Sequence, residues 1–232
     1  MYEPFPADVP RLRTNPRTAE MIKYASNALL ANLISFSNEL ANLGASIGGI
    51  DTVDVMRGVH LSQYFRGRND EGLPPITAFL KAGCGFGGSC LPKDVSALVA
   101  QGKTLGLPMP LLEAVLQTNH DQPEVMIALL KKHWPRLEGL RVAVLGLAFK
   151  PGTNDIRESP AFAIMHGLLR EGATLKAHDP IANREASAAF TDPRVTYCDT
   201  LDSAITDADA VIVVTPWPEF RDLPARLSGR PL

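Results

Sequence analysis

The chain has 232 residues, a formal net charge of −2, 45% hydrophobic and 21% charged residues, three cysteines and five histidines. This globular composition excludes disordered, collagen-like and disulfide-scaffold classes, and the small net charge gives no footprint for nucleic-acid binding. No apolar run reaches the length of a membrane span, the start lacks a signal peptide's basic and apolar regions, and no C-x-x-C supports a metal site; the expected compartment is the cytoplasm.

Residues 1–15 are proline-rich and aperiodic, and read as an extended arm. Asn15-Pro16 offers an N-cap and a first-turn proline. Met21, Ala25, Leu29, Leu33, Phe36, Leu40 and Leu43 then recur every three or four residues, predicting one apolar face of a long helix that weakens or ends over 44–49. Asp51-Thr52 caps a short helix through Val53 and Met56, and residues 57–75 read as loops with a helical turn. After a glycine-rich stretch over 83–88, Pro92 opens a helix carrying Val95, Leu98 and Val99. Pro110 and residues 121–123 punctuate two further helical stretches, the second ending in Lys131-Lys132-His133.

Near Leu137 the pattern changes. A short buried strand over 141–146 leads into alternating segments: helix 161–169, strand 174–178, helix 183–189, strand 195–197, helix 201–205 and strand 210–214. Strands separated by helices imply a parallel sheet with crossovers. The predicted architecture is an all-helical domain over 16–136 followed by a Rossmann-like parallel α/β domain over 137–232.

Three segments could carry chemistry. In Gly85-Phe86-Gly87-Gly88-Ser89-Cys90-Leu91-Pro92-Lys93-Asp94, the glycines permit close backbone approach to a ligand. Cys90 lies at a helix N-terminus, where the dipole and Lys93 favour a thiolate, and Asp94 follows one turn on. Cys84 and Cys198 read as inert buried thiols. Lys23 and Asn27, spaced i, i+4, share one face of the first helix, as a functional pair or a solvated one. The segment 146–160 follows the first strand of the α/β half and carries Lys150 and Arg157, suited to phosphate or to a solvated loop. It is not G-x-G-x-x-G, and Asp179-Pro180 reads as a strand-end turn rather than a ribose-binding acid.

The ordered segments 18–27, 85–94 and 148–159, with Thr215-Pro216-Trp217-Pro218-Glu219-Phe220 near the end, closely resemble the UDP-glucose/GDP-mannose (nucleotide-sugar) 6-dehydrogenase family over nearly the whole chain. The resemblance implies an NAD-dependent, metal-free oxidation of the C6 alcohol of a UDP-sugar or GDP-sugar to a carboxylate, through a thiohemiacetal and a thioester on cysteine, in polysaccharide biosynthesis. By matched position Cys90 is the nucleophile, Lys23 stabilises the oxyanion, Asn27 holds the reacting oxygen or water, and Asp94 organises or activates water. Lys81, Gly85, Phe86, Gly87, Phe149 and Lys150 match substrate contacts; Lys93 and Arg157 match positions near NAD. The implied partners are the nucleotide sugar and a second copy of the chain docked through the helical domain, without nucleic acid or membrane. The family's N-terminal Rossmann domain has no counterpart here, so the expectation is a fragment inactive alone, carrying the central domain and a truncated C-terminal domain. The alternative is a non-catalytic dimerisation and nucleotide-sugar-binding module. Where the family often has an intersubunit arginine, this chain has Pro74-Pro75-Ile76-Thr77, leaving Arg66 or Arg68 as substitutes.

Overall fold

The computed structural model describes residues 12–62, 65 and 74–227. Arg66, Arg68 and most of the expected arm lie outside these residues.

Helix α1 spans Pro16–Ile47, with the Asn15 side chain accepting from the Thr18 amide at 2.9 Å, and stops at Gly48, whose φ of 80° is open to glycine. Asp51 caps α2 (Thr52–His60), and a 3-10 helix spans Pro75–Phe79. The glycine-rich turn feeds α3 (Leu91–Thr104), followed by α4 (Pro110–Lys131). The two helical stretches expected around 121–123 are thus one helix. Pro123 sits inside α4, buried with Gln122, Val115 and Ile127. A mid-helix proline costs about 3 kcal/mol, but α4 packs on α1, α3 and α5, and that burial overrides the local signal.

The helical core is small: Ala28 and Ala31 of α1 meet Phe86, Val95 and Val115. The predicted apolar stripe is largely left outside it. Met21, Leu29, Phe36 and Leu43 are 46–56% exposed, while α1 turns Ala28, Ala31, Ser35 and Asn38 inward. Small residues let the helices approach closely, and the bulky stripe is left largely uncovered by the described residues.

The second half comprises β1 (Arg141–Leu145), α5 (Pro160–Arg170), β2 (Thr174–His178), α6 (Asn183–Ala189), β3 (Val195–Tyr197), α7 (Leu201–Ile205), β4 (Ala210–Val213) and α8 (Leu223–Arg226). All pairings are parallel in the order β3-β2-β1-β4. The fold is therefore helices followed by a Rossmann-like α/β unit. Strand β1 is buried on both faces: Val142 and Val144 join the core with α4 and α5, and Ala143 and Leu145 join the core with α7 and α8. Because β1 neighbours β2 on one side and β4 on the other, the strand order switches direction there, the place outside whose carboxyl ends open α/β sheets bind ligands. The segment 146–160 begins at that switch point.

Candidate active site

The turn before α3 and the segment after β1 are joined across the two halves. The Gly88 amide donates to the Arg157 carbonyl at 2.8 Å. A side chain on Gly87 would meet the Glu158 carbonyl oxygen at 2.1 Å, and one on Gly88 would meet the Phe149 ring at 2.7 Å. Gly85 has a φ of 107° and lies over Asn119, where a Cβ would sit 2.8 Å from Oδ1. Bare backbone at these glycines is what seats the turn against its own chain, a requirement separate from the ligand contact expected of them. Phe86, expected to contact substrate, is 5% exposed, and its amide and carbonyl are both bonded to Asn119.

Cys90 occupies the N-cap position of α3 and is exposed, with Ser89 Oγ at 3.8 Å from its sulfur. Its carbonyl accepts from the Asp94 amide at 2.9 Å, the first bond of the helix. Cys84 and Cys198 are buried, as expected for inert thiols. Burial pushes the Cys84 thiol up to about 11, so it stays protonated.

Asp94 draws the remaining catalytic candidates together. Its inaccessible carboxylate accepts from Lys23 Nζ at 2.6 Å and Asn27 Nδ2 at 2.5 Å on Oδ2, and from Lys93 Nζ at 2.5 Å on Oδ1. Lys23 and Asn27 thus form a pair bonded to a partner 71 and 67 residues away. Burial alone would raise the Asp94 carboxyl; the bonds from Lys23, Lys93 and Asn27 outweigh it and hold it at about 2. The same contact raises Lys93. A carboxyl depressed on folding contributes stability that is complete above its ordinary value of 3.8 and is lost as pH falls through about 2. An acid so firmly ionised is a fixed counter-charge near neutral pH and a weak proton acceptor.

Lys93 and Arg157 both lie within electrostatic reach of Cys90. Arg157 is held by Asp155, with Nη2 at 2.6 Å from Oδ2, which keeps that carboxyl at about 2. Tyr24 places its ring 4.9 Å from Lys23 Nζ and 5.7 Å from Lys93 Nζ. Phe149 covers Gly88 and carries Lys150 Nζ 5.5 Å above its ring. Lys81 is exposed at the entry to the glycine-rich turn. Among the described residues no cluster of three or more His, Cys, Asp or Glu could hold a metal, and no helix is long and apolar enough to cross a membrane.

Sequence reasoning missed the holders of this site. Asp179, at the end of β2, accepts from the Leu147, Ala148, Ile181 and Ala182 amides and from Trp217 Nε1. It fixes the loop that leads to Phe149 and Lys150. An aspartate directly after a strand was visible in the sequence; its distant donors were not.

Residues 17–121 match the central domain of the UDP-glucose/GDP-mannose dehydrogenase family, and residues 143–230 match that family's UDP binding domain. The chain is 44% identical over 223 residues to UDP-glucose 6-dehydrogenase TuaD of Bacillus subtilis (strain 168), covering 96% of this chain and 45% of the relative. It is 42% identical over 214 residues to UDP-glucose 6-dehydrogenase AglM of Haloferax volcanii, covering 92% of this chain and 46% of the relative. A UDP-glucose dehydrogenase structure from Pyrobaculum islandicum superposes with a TM-score of 0.81 at 40% identity, over 92% of this chain and 46% of that one. The chain spans about half the length of the curated relatives it matches.

Proposed function

The chain belongs to the UDP-glucose/GDP-mannose dehydrogenase family, carrying its central and UDP-binding domains, and on that premise we propose that it supplies the nucleophile and the nucleotide-sugar face of an NAD-dependent 6-dehydrogenase. The reaction is oxidation of the C6 alcohol of a UDP-sugar, with a GDP-sugar as the alternative substrate, to the carboxylate. The supporting observation is the exposed Cys90 at a helix N-terminus, one turn from a carboxylate that gathers Lys23, Asn27 and Lys93.

In this reading the Cys90 thiolate adds to the C6 aldehyde carbon, forming the C–S bond while the carbonyl oxygen becomes an oxyanion. Lys23 and Asn27 present N–H donors where that charge develops, and Asp94 fixes their geometry while balancing the lysines. Sulfur then carries the sugar as a thiohemiacetal and, at the higher oxidation level, as a thioester whose hydrolysis by water returns the thiol and releases the carboxylate. NAD, when bound, supplies the hydride acceptor. The residues of this chain that suit it are Lys93 and Arg157, two exposed cations within electrostatic reach of Cys90, held by Asp94 and Asp155 and matched in sign to a pyrophosphate. Phe149 and Lys150, on the loop after β1, face the nucleotide sugar, with exposed Lys81 at its border and Gly85, Phe86 and Gly87 shaping that border through the packed turn.

Calorimetric titration of the chain with UDP-glucose and GDP-mannose tests the nucleotide assignment. UDP-glucose should bind, and Lys150→Ala should weaken it about tenfold, the worth of one charged hydrogen bond. Failure of both nucleotide sugars to bind contradicts the reading.

A second copy of the chain is the proposed partner of α1. Ile22, Leu29, Phe36 and Leu43 are 43–56% exposed and spaced seven residues apart, the repeat of a helix-pairing seam. Light scattering should give twice the monomer mass, and Leu29→Glu should shift it toward the monomer. A monomer at every concentration contradicts the assignment.

A further inference from the structure

The segment joining the 3-10 helix to α3 passes between α1 and α4 with few regular backbone bonds of its own. Side-chain amides meet its polar groups instead. Asn38 Oδ1 accepts from the Gly83 amide at 2.7 Å, and Gln122 Nε2 donates to the Gly83 carbonyl at 2.9 Å. Asn42 Nδ2 donates to Gln122 Oε1 at 3.0 Å and orients that amide. Three residues on, Asn119 Oδ1 accepts from the Phe86 amide at 2.7 Å while its Nδ2 donates to the Phe86 carbonyl at 3.0 Å. Asn38 is wholly buried, and its Nδ2 has no partner among the described residues. An apolar side chain would avoid that desolvation cost, so the amide is retained for its oxygen.

Asn38, Gln122 and Asn119 grip the backbone of residues 83–86, four to seven positions before Cys90. Gly85, with its φ of 107°, is the point where the chain bends over Asn119 and where any side chain would strike Oδ1. The far side of the turn is held by the Arg157 carbonyl and the Phe149 ring. We infer that Asn119, with Gln122 and Asn38, is a positioning residue for the Cys90 turn: the amides fix the thiol relative to Lys23, Asn27 and Asp94 without touching the reacting atoms. This assignment rests on Cys90 being the nucleophile.

The test uses the chain itself, with iodoacetamide alkylation read at each cysteine by mass spectrometry and amide hydrogen exchange read at Phe86. Asn119→Leu removes both bonds at similar volume. It should slow Cys90 alkylation about tenfold, the scale on which misplacement costs reactivity, and speed Phe86 exchange about a hundredfold. Cys84, inside the gripped segment, should become reactive, while Cys198 in the α/β unit stays protected and reports an intact fold. Asn119→Asp keeps the acceptor for the Phe86 amide and should fall between Asn119→Leu and wild type. If Asn119→Leu does not fold, Asn119→Asp decides alone, with a loss of about threefold at Cys90 expected. A folded variant whose Cys90 rate stays at the wild-type value while Phe86 exchanges freely overturns the positioning role. A wild-type Cys90 no faster than Cys198 overturns the nucleophile reading and the clamp with it.

Discussion

Asp179→Ala should destabilise the chain by about 3–5 kcal/mol, read as a fall in the urea unfolding midpoint. The carboxylate is 1% exposed and accepts five hydrogen bonds: from Leu147 and Ala148 on the loop after β1, from Ile181 and Ala182 at the entry to α6, and from the Trp217 indole after β4. Removing it leaves these donors without their acceptor, the Leu147, Ala148 and Ala182 amides among them in buried surroundings. Asp179→Asn should recover little, because its NH₂ group replaces an acceptor and points at N–H groups. The damage reaches the site, since the Leu147 and Ala148 amides fix the loop that carries Phe149 and Lys150. A loss below about 1 kcal/mol would show that the loop finds other acceptors or water.

Gly87→Ala is the second large effect, expected to cost about 3 kcal/mol, the upper end of the usual overpacking range. The added methyl would lie 2.1 Å from the Glu158 carbonyl oxygen and 2.7 Å from its carbon. Those are backbone atoms, and no rotamer change can clear them. Glu158 itself has a φ of 53°, and the next residue, Ser159, caps α5. Any shift therefore strains a segment already held in a rare conformation. Gly83→Ala is the matched control: nothing lies within 4 Å of its Cβ position, and its φ is not positive. It should unfold within about 0.5 kcal/mol of wild type. Equal midpoints for the two variants would mean that the turn and the 157–159 segment are not in contact.

The α/β half was legible in fine detail. Strand β2, helix α6, strand β3 and helix α7 begin and end where residues 174–178, 183–189, 195–197 and 201–205 predict them. There, short apolar runs are separated by Asp, Pro and Gly turns, so local pattern and final structure agree. Pro123 misled because the packing of α4 on three other helices lies outside any local window. The α1 stripe was correctly periodic, yet it reports a surface. Periodicity identifies a face that needs covering and says nothing of which chain covers it.

The site divides along the same line. Cys90 was readable because its features are adjacent in sequence: three glycines, a proline opening a helix, a lysine and an aspartate. Lys23 and Asn27 were readable as a pair, and their spacing left open whether anything met them. The answer lies on Asp94, 71 and 67 residues away. Asn119 and Gln122 carry no local signal, since an amide on a helix is commonplace, and Asp179 reads locally only as a strand-end turn. Their roles exist only once the backbone groups they satisfy have been folded against them. The glycines mark the boundary between the two kinds of information. Their permissiveness is visible in sequence, but the Glu158 carbonyl and Phe149 ring that require it belong to another domain's loop.

The central claim is that Cys90 is a substrate-facing nucleophile, and its thiol reactivity tests this most directly. With limiting iodoacetamide near neutral pH, Cys90 should be alkylated at least about tenfold faster than Cys84 or Cys198. Saturating UDP-glucose should slow that reaction while leaving the other two unchanged. Equal labelling of all three cysteines, or a Cys90 rate indifferent to every nucleotide sugar, would contradict the account.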